Sequence, residues 1–219
     1  MREDLSFNHE FLSELFFPSE DQILPQGQTV MRAKVYRVGG GILKHYFRGG
    51  LVSRFIQKSY FQPSNISNNQ TRPFSELRIL EELAANNVSV LHPLVAGIKR
   101  SNYFFYQGLL LTEELNDVLN LSEVVGQGVP SKIYQLAYKV GVEAKKMLNL
   151  QIFHRDLHPA NVLVSSDEKI VLCDFDGAVR FNQESANFYR QRLIERWHRA
   201  VLKRKFPNEL FQGFVEGLS

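Results

Sequence analysis

His154-Arg155-Asp156-Leu157-His158-Pro159-Ala160-Asn161, followed after a short hairpin by Asp174-Phe175-Asp176-Gly177, is the stretch on which the fold turns. It sets an acid, a side-chain amide and a second acid at a spacing that phosphoryl transfer can use. Asp156 stands where a base can accept or orient a hydroxyl proton. Asn161, one short turn later, can offer an amide oxygen to a metal. Asp174 returns on the far hairpin arm, where a carboxylate can hold metal against nucleotide phosphates. Hard Mg2+ suits such oxygen ligands and keeps several waters. The context agrees with the motif. Residues 161–164 and 169–173 are short β-rich runs, and the polar residues 165–168 between them read as a turn. One hairpin therefore carries Asn161 at its start and Asp174 at its end. The competing reading is a structural hairpin with a polar loop.

Working towards the N-terminus, residues 29–38 alternate as a strand, Gly39-Gly40-Gly41 turns, and residues 42–47 return as a second strand. The triple glycine lies between two strands with no helix after it, which favours a hairpin turn over a phosphate loop. A nucleotide-covering loop would sit earlier, around Gly27. Within Ile42-Leu43-Lys44 a long cation emerges among apolar neighbours, so Lys44 is the candidate anchor for the α- and β-phosphates of ATP. An exposed strand lysine is the alternative. The anchor needs a carboxylate from the next helix, expected over residues 73–84 with Leu77, Leu80, Leu83 and Ala84 on one stripe. Glu76 lies beside that stripe and is the expected partner, whereas Glu81 and Glu82 are expected in solvent. Residues 1–26 read as an amphipathic lead-in that packs on the body or closes over the site. Arg48, Arg54 and Lys58 are loop cations that contact phosphate or stay solvated.

Residues 90–98 and 103–112 read as strands that complete a small five-stranded sheet. Thr112-Glu113-Glu114-Leu115 then falls where a linker to a second lobe belongs, with the backbone at Glu113 facing the adenine edge. Residues 131–150 form a long helix with Ile133, Leu136, Ala137, Val140, Ala144 and Leu148 on its apolar face, a support for the Asp156 loop. After Gly177 comes mostly one helix, 186–205. No A-P-E element or large peptide-holding subdomain fits into 178–219, which argues against a protein substrate and for a compact small-acceptor kinase. The fold expected is α+β and protein-kinase-like: a single domain over 1–219, with a small antiparallel sheet plus one helix (1–113, including the lead-in) and a reduced, mainly helical lobe (114–219).

Composition bounds the rest. The chain has 219 residues, 44% hydrophobic and 22% charged, as ordinary soluble globular proteins have. A net charge of +3 favours anionic partners without demanding nucleic acid, and none is expected. Glu3 and Asp4 spoil a secretory leader, no apolar run is long enough to span a bilayer, and the single cysteine, Cys173, excludes an internal disulfide framework; a cytoplasmic setting is expected. Cys173 reads as a small core residue.

With these residues in hand, the chain resembles the bacterial 3-deoxy-manno-octulosonate (Kdo) kinases of the lipopolysaccharide-core kinase group. The resemblance is sharpest over residues 42–52, whose strand ends in Arg48-Gly49-Gly50, and at the Asp156/Asn161 loop with Asp174-Phe175-Asp176. Arg72-Pro73-Phe74 leading into Glu76 is similar to the family's helix entry. The resemblance implies ATP- and Mg2+-dependent phosphorylation of a Kdo hydroxyl on a lipid A precursor, at the cytoplasmic face of the inner membrane. His158-Pro159-Ala160 departs towards the loop of small-molecule phosphotransferases, so an aminoglycoside-type or other core-sugar acceptor is the alternative. A non-catalytic module is the third reading, against which the full set of site residues speaks. His158 either stabilises charge on the transferring phosphoryl group or packs the loop. His154 and Arg155 shape the loop, and the role of Asp176 is open. The late helix sets Arg190, Arg192, Arg196, Arg199, Lys203, Arg204 and Lys205 against an apolar face assigned to Phe188, Leu193, Trp197, Ala200, Val201 and Leu202. Such a helix suits an anionic membrane surface or an anionic lipid, or else packs on the second lobe with its basic face solvated.

Overall fold

The structure is a computed structural model that describes residues 15–16, 33–46, 60–61, 70–100, 105–127 and 129–219. The expectations for Gly27, for Arg48, Arg54 and Lys58, and for most of the lead-in lie outside these residues. The described residues up to Leu77, with Pro93–Glu114, form one compact unit; Arg78–His92 with Leu115–Ser219 form a second.

The first unit is a five-stranded antiparallel sheet. Strands β1 (Ala33–Val38) and β2 (Gly41–Tyr46) make a hairpin whose register closes at Val38 and Gly41. Gly39 and Gly40 are its loop, at φ 55° and 74°. Positive φ at both positions is what a tight two-residue hairpin needs, so the triple glycine is a turn, as expected. β3 (Tyr60–Phe61) and β4 (Pro93–Arg100) join β5 (Phe105–Glu113), which pairs with β2, β3 and β4. Period-two alternation sorts the side chains of β2 onto two faces. Leu43 goes to a core with Leu15, Tyr36, Val38, Leu109 and Leu111. Leu15 and Phe16, the described part of the lead-in, pack on that face, and His45 Nε2 lies 2.6 Å from the Leu15 carbonyl oxygen. Lys44 and Tyr46 go to the other face, which helix α1 (Arg72–Ala85) enters. A Cβ on Gly108 would stand 2.9 Å from Pro73 Cγ, so this glycine lets the start of α1 approach the sheet.

The strand expected from residue 90 starts instead at Pro93. The Ser89 carbonyl accepts from Leu172 N–H at 2.9 Å, and Leu91 N–H donates to the Leu172 carbonyl at 3.3 Å. Those bonds commit residues 89–91 to the second unit. Glu82 also departs from expectation: it pairs with Arg180 rather than standing in solvent.

The second unit is mostly helical. β6 (Val118–Asn120) leads into α2 (Leu121–Gln127) through a reciprocal cap. Asn120 Oδ1 accepts from Glu123 N–H at 3.1 Å, and Glu123 Oε2 accepts from Asn120 N–H at 3.0 Å. Helix α3 (Pro130–Asn149) buries every apolar position expected of it, with Gly141 and Met147 besides. After it come β7 (Ile152–Phe153), β8 (Val162–Ser165), β9 (Ile170–Leu172) and β10 (Val179–Arg180). Helix α4 (Ala186–Arg204) matches the expected late helix. A further helix, α5 (Glu209–Leu218), answers to nothing in the sequence reading. It packs on α3 through glycines. A Cβ on Gly141 would meet the Phe214 backbone oxygen at 2.3 Å, and one on Gly217 would meet that of Tyr138 at 2.1 Å. Trp197 of α4, fully buried, stacks on Phe214 of α5 at 4.4 Å and donates its indole N–H to the Leu210 carbonyl at 2.9 Å.

The apolar face assigned to α4 needs correction. Leu193, Trp197 and Val201 are buried, but Phe188 and Leu202 are 57% and 63% exposed. At 3.6 residues per turn both fall on the side of Arg192 and Arg199, opposite Trp197.

Candidate active site

In the first unit, Lys44 Nζ lies 3.2 and 3.1 Å from the two carboxylate oxygens of Glu76. The helix delivers Glu76 near its start, as the spacing implied, and the exposed-lysine alternative fails. Glu76 is only 3% exposed, so its charge needs partners there. It has a second one that sequence reasoning missed: Tyr46 donates its hydroxyl to Glu76 Oε2, while the Lys44 ammonium sits 5.0 Å from the Tyr46 ring centroid. Two-residue spacing on β2 puts Lys44 and Tyr46 on one face, and that was the available signal. Glu113 ends β5, and Arg37 Nε donates to the neighbouring Glu114 at 2.7 Å.

In the second unit the Asp156 loop is held from several sides. β7, which leads into it, pairs with β10, which follows Gly177. The hairpin of β8 and β9 joins Asn161 to Asp174, as expected, and Cys173 N–H donates to the Asn161 carbonyl at 3.1 Å. His154 is a buried internal brace. Its Nδ1 accepts from Asp156 N–H at 3.0 Å and its Nε2 lies 3.0 Å from the Cys173 carbonyl. An accepting Nδ1 places the single proton on Nε2, and burial pushes the imidazole below its ordinary range, so His154 is neutral. Its ring packs 4.5 Å from that of Phe175, which is itself buried. The Phe between Asp174 and Asp176 therefore anchors the second acid to the first loop.

Asn161 Nδ2 donates to the Asp156 carbonyl at 2.9 Å. That bond engages one N–H of the amide and sets which end is nitrogen, so Oδ1 is the end that could ligate. Asp174 has φ 63°, in the left-handed region, which aspartate tolerates better than most residues and which recurs at functional positions. Asn161 Oδ1 and the Asp174 carboxylate are hard oxygen donors, a set that fits Mg2+, which takes one or two carboxylates and completes its shell with phosphate and water.

Asp156 is 54% exposed at its side chain. Two basic side chains face it. His158 Nε2 lies 3.7 Å from Oδ2, and Arg196 Nη1 lies 2.6 Å from Oδ1. His158, then Arg196, hold the carboxyl below the ordinary carboxylate range against the opposing effect of burial. The imidazole at 3.7 Å is beyond good hydrogen-bond distance, so the shorter Arg196 bond fixes the carboxylate's orientation. His158 Nδ1 accepts from Ala160 N–H at 3.2 Å, capping the 3-10 turn Pro159–Asn161. The loop-packing role of His158 is thus present, with its other nitrogen turned to Asp156. Arg196 was read only as one cation on a basic helix; nothing local in the sequence joins it to a loop 40 positions earlier.

A strand lysine salt-bridged to a helix glutamate, followed by an acid–amide–acid loop on a hairpin, belongs to a protein-kinase-like fold. Within that class, the sequence matches the model of the lipopolysaccharide kinase (Kdo/WaaP) family over residues 24–217, and the chain belongs to that family. It is 30% identical to a 3-deoxy-D-manno-octulosonic acid kinase of Photobacterium damsela subsp. piscicida, over 91% of this chain and 84% of that protein. It is 32% identical to the enzyme of the same name from Pasteurella multocida (strain Pm70), covering 80% and 73% of the two chains. The Vibrio vulnificus (strain YJ016) enzyme is 31% identical over the same shares, 80% and 73%.

Proposed function

We propose that this chain is a Kdo kinase, which transfers phosphate from ATP to a Kdo hydroxyl on a lipid A precursor in the making of the lipopolysaccharide core. The observation that carries the reading is the braced loop of Asp156, Asn161 and Asp174 in a chain similar to named Kdo kinases. Residues 1–219 act as one kinase domain, with 1–113 as the N-lobe and its lead-in and 114–219 as the C-lobe.

Lys44, pinned by Glu76, takes the α- and β-phosphates. Backbone at Glu113 takes the adenine edge. Asn161 and Asp174 would hold Mg2+, which when bound would neutralise charge on the phosphates. Asp156 orients the acceptor hydroxyl and receives its proton while the new O–P bond forms and the bond from the γ-phosphorus to the bridging oxygen breaks, releasing ADP. Positioning and electrostatics supply most of the acceleration. Because Asp156 is held below the carboxylate range, it is ionised and ready throughout the neutral range.

The enzyme works at the cytoplasmic face of the inner membrane as a peripheral protein. Among the described residues no helix is long and apolar enough to cross a membrane. The exposed side of α4 instead mixes Phe188 and Leu202 with Arg192, Arg199 and Lys203, a composition suited to an anionic lipid surface.

The test is transfer of label from ATP, with Mg2+, to a Kdo-bearing lipid A precursor in detergent, beside free sugars and aminoglycosides. Label on the lipid, lost in Asp156→Ala and in Asp174→Ala with ATP binding retained by Asp156→Ala, is the expected result. Label on a soluble acceptor alone, or turnover unchanged in both variants, overturns the assignment.

A further inference from the structure

The contact between Arg196 and Asp156 is unusual for a residue that must meet a hydroxyl. Helix α4 does not drift into it by chance. Tyr189 packs its ring 4.9 Å from Phe153 of β7 and 4.6 Å from Phe181, and Leu193 and Trp197 are fully buried. Those anchors fix the helix against the strand that enters the catalytic loop, and Arg196 projects from it with its side chain 33% exposed. A guanidinium carries five N–H donors in a planar fork. Among the described residues one of them, on Nη1, is engaged, at 2.6 Å from Asp156 Oδ1. The fork therefore has donors left over beside the very oxygen that would orient the acceptor. Arg192 and Arg199 stand four residues before and three after Arg196, on the same side of the helix. With Phe188, Glu195 and His198 they line an open depression of about 570 Å³.

We infer that Arg196 is the acceptor-specificity residue: it keeps its bond to Asp156 and, with its remaining donors, binds the carboxylate of the acidic sugar whose hydroxyl is phosphorylated. The inference rests on the Kdo-kinase reading, since an octulosonic acid brings such a carboxylate. One guanidinium bridging the base and the sugar acid ties the acceptor's orientation to the group that takes its proton. A planar fork meets a carboxylate with two parallel bonds, and a lysine at the same place would give a point charge without the alignment. A neutral sugar would leave the fork unfilled, which rejects it.

The experiment is steady-state kinetics of the full chain and its Arg196→Gln and Arg196→Lys variants. Each is assayed on the Kdo-bearing acceptor and on the same acceptor with its Kdo carboxyl converted to the methyl ester. On the acidic acceptor, Arg196→Gln is expected to raise the acceptor KM by about 10- to 100-fold, the scale of a lost charge-assisted pair, with the KM for ATP unmoved. Arg196→Lys is expected to recover part of that loss. On the ester, wild type is expected to be already impaired and Arg196→Gln to add little. Equal losses in kcat on both acceptors with unchanged KM would overturn the inference, because Arg196 would then only position Asp156. No transfer by wild type to either Kdo acceptor would instead overturn the function proposed above. Circular dichroism and melting of each variant separate both outcomes from misfolding.

Discussion

At the scale of the residue, the clearest lesson comes from Glu76. A carboxylate 3% exposed is affordable only when its lone pairs are filled, and two donors from one strand face fill them. Removing either takes a bond away from a buried charge. Tyr46→Phe keeps the ring beneath the Lys44 ammonium and deletes only the hydroxyl. It is expected to cost about 1.5–3 kcal/mol of stability, the range for a hydrogen bond to a charged group. With Lys44 less firmly held, the KM for ATP should rise several-fold while the acceptor KM stays put. Urea unfolding together with ATP titration of the rate checks both, and an unaltered ATP KM would mean that the Tyr46 hydroxyl does not help to hold Lys44. Lys44, Glu76, Asp156, Asn161 and Asp174 were legible because each is carried by a local pattern: a strand period, a helix phase, a loop spacing. Arg196 and Tyr46 were not, since their importance lies in what they touch.

At the scale of the element, helices with strong apolar stripes were readable and helices held by absence were not. α3 advertises itself with buried positions at helical spacing. α5 carries Gly213 and Gly217 at its contact face, and glycine speaks for a loop when only propensity is weighed. Its reason for being helical is tertiary: two backbones approach until no side chain fits between them. The glycines therefore divide into two kinds. Gly217→Ala would gain about 1 kcal/mol of helix propensity, but its Cβ would meet the Tyr138 backbone oxygen at 2.1 Å, an atom that cannot rotate away. Overpacking of that sort costs about 1–3 kcal/mol or more, so net destabilisation is expected. Gly126→Ala in α2 meets nothing within 4 Å and should stabilise by up to about 1 kcal/mol. Paired denaturant melts of the two variants check the opposite signs. The cap of α2, an Asn120-x-x-Glu123 box, is a local pattern with asparagine in the place that serine or threonine more often takes.

At the scale of the whole molecule, charge and exposed apolar surface act together. A net charge of +3 is modest, yet α4 gathers cations on the same side as two large exposed hydrophobics. The protein is expected to sediment with vesicles containing anionic lipid at low salt, to be released as salt rises, and to bind less after Phe188→Ser with Leu202→Ser. Binding indifferent to salt, or absent, would remove the membrane from the proposal. The mistaken assignment of Phe188 and Leu202 to the buried face shows where composition stops being enough. Both residues are apolar, and only their helical phase against Trp197 says which way they look.

The glycine seam also has a consequence in time. Synthesis runs from the N-terminal side to the C-terminal side, so the segment that covers Trp197 and the small-residue face of α3 is made after the rest of the described second unit. Until residues 209–218 have emerged, the indole N–H lacks the Leu210 carbonyl and a stripe of backbone on α3 stays open to water. The Asp156 loop leaves the ribosome earlier, before α3 and α4 have the helix that covers them. For that interval the nascent chain shows apolar surface that invites wrong contacts, and the closing of the α3–α4 core waits on α5.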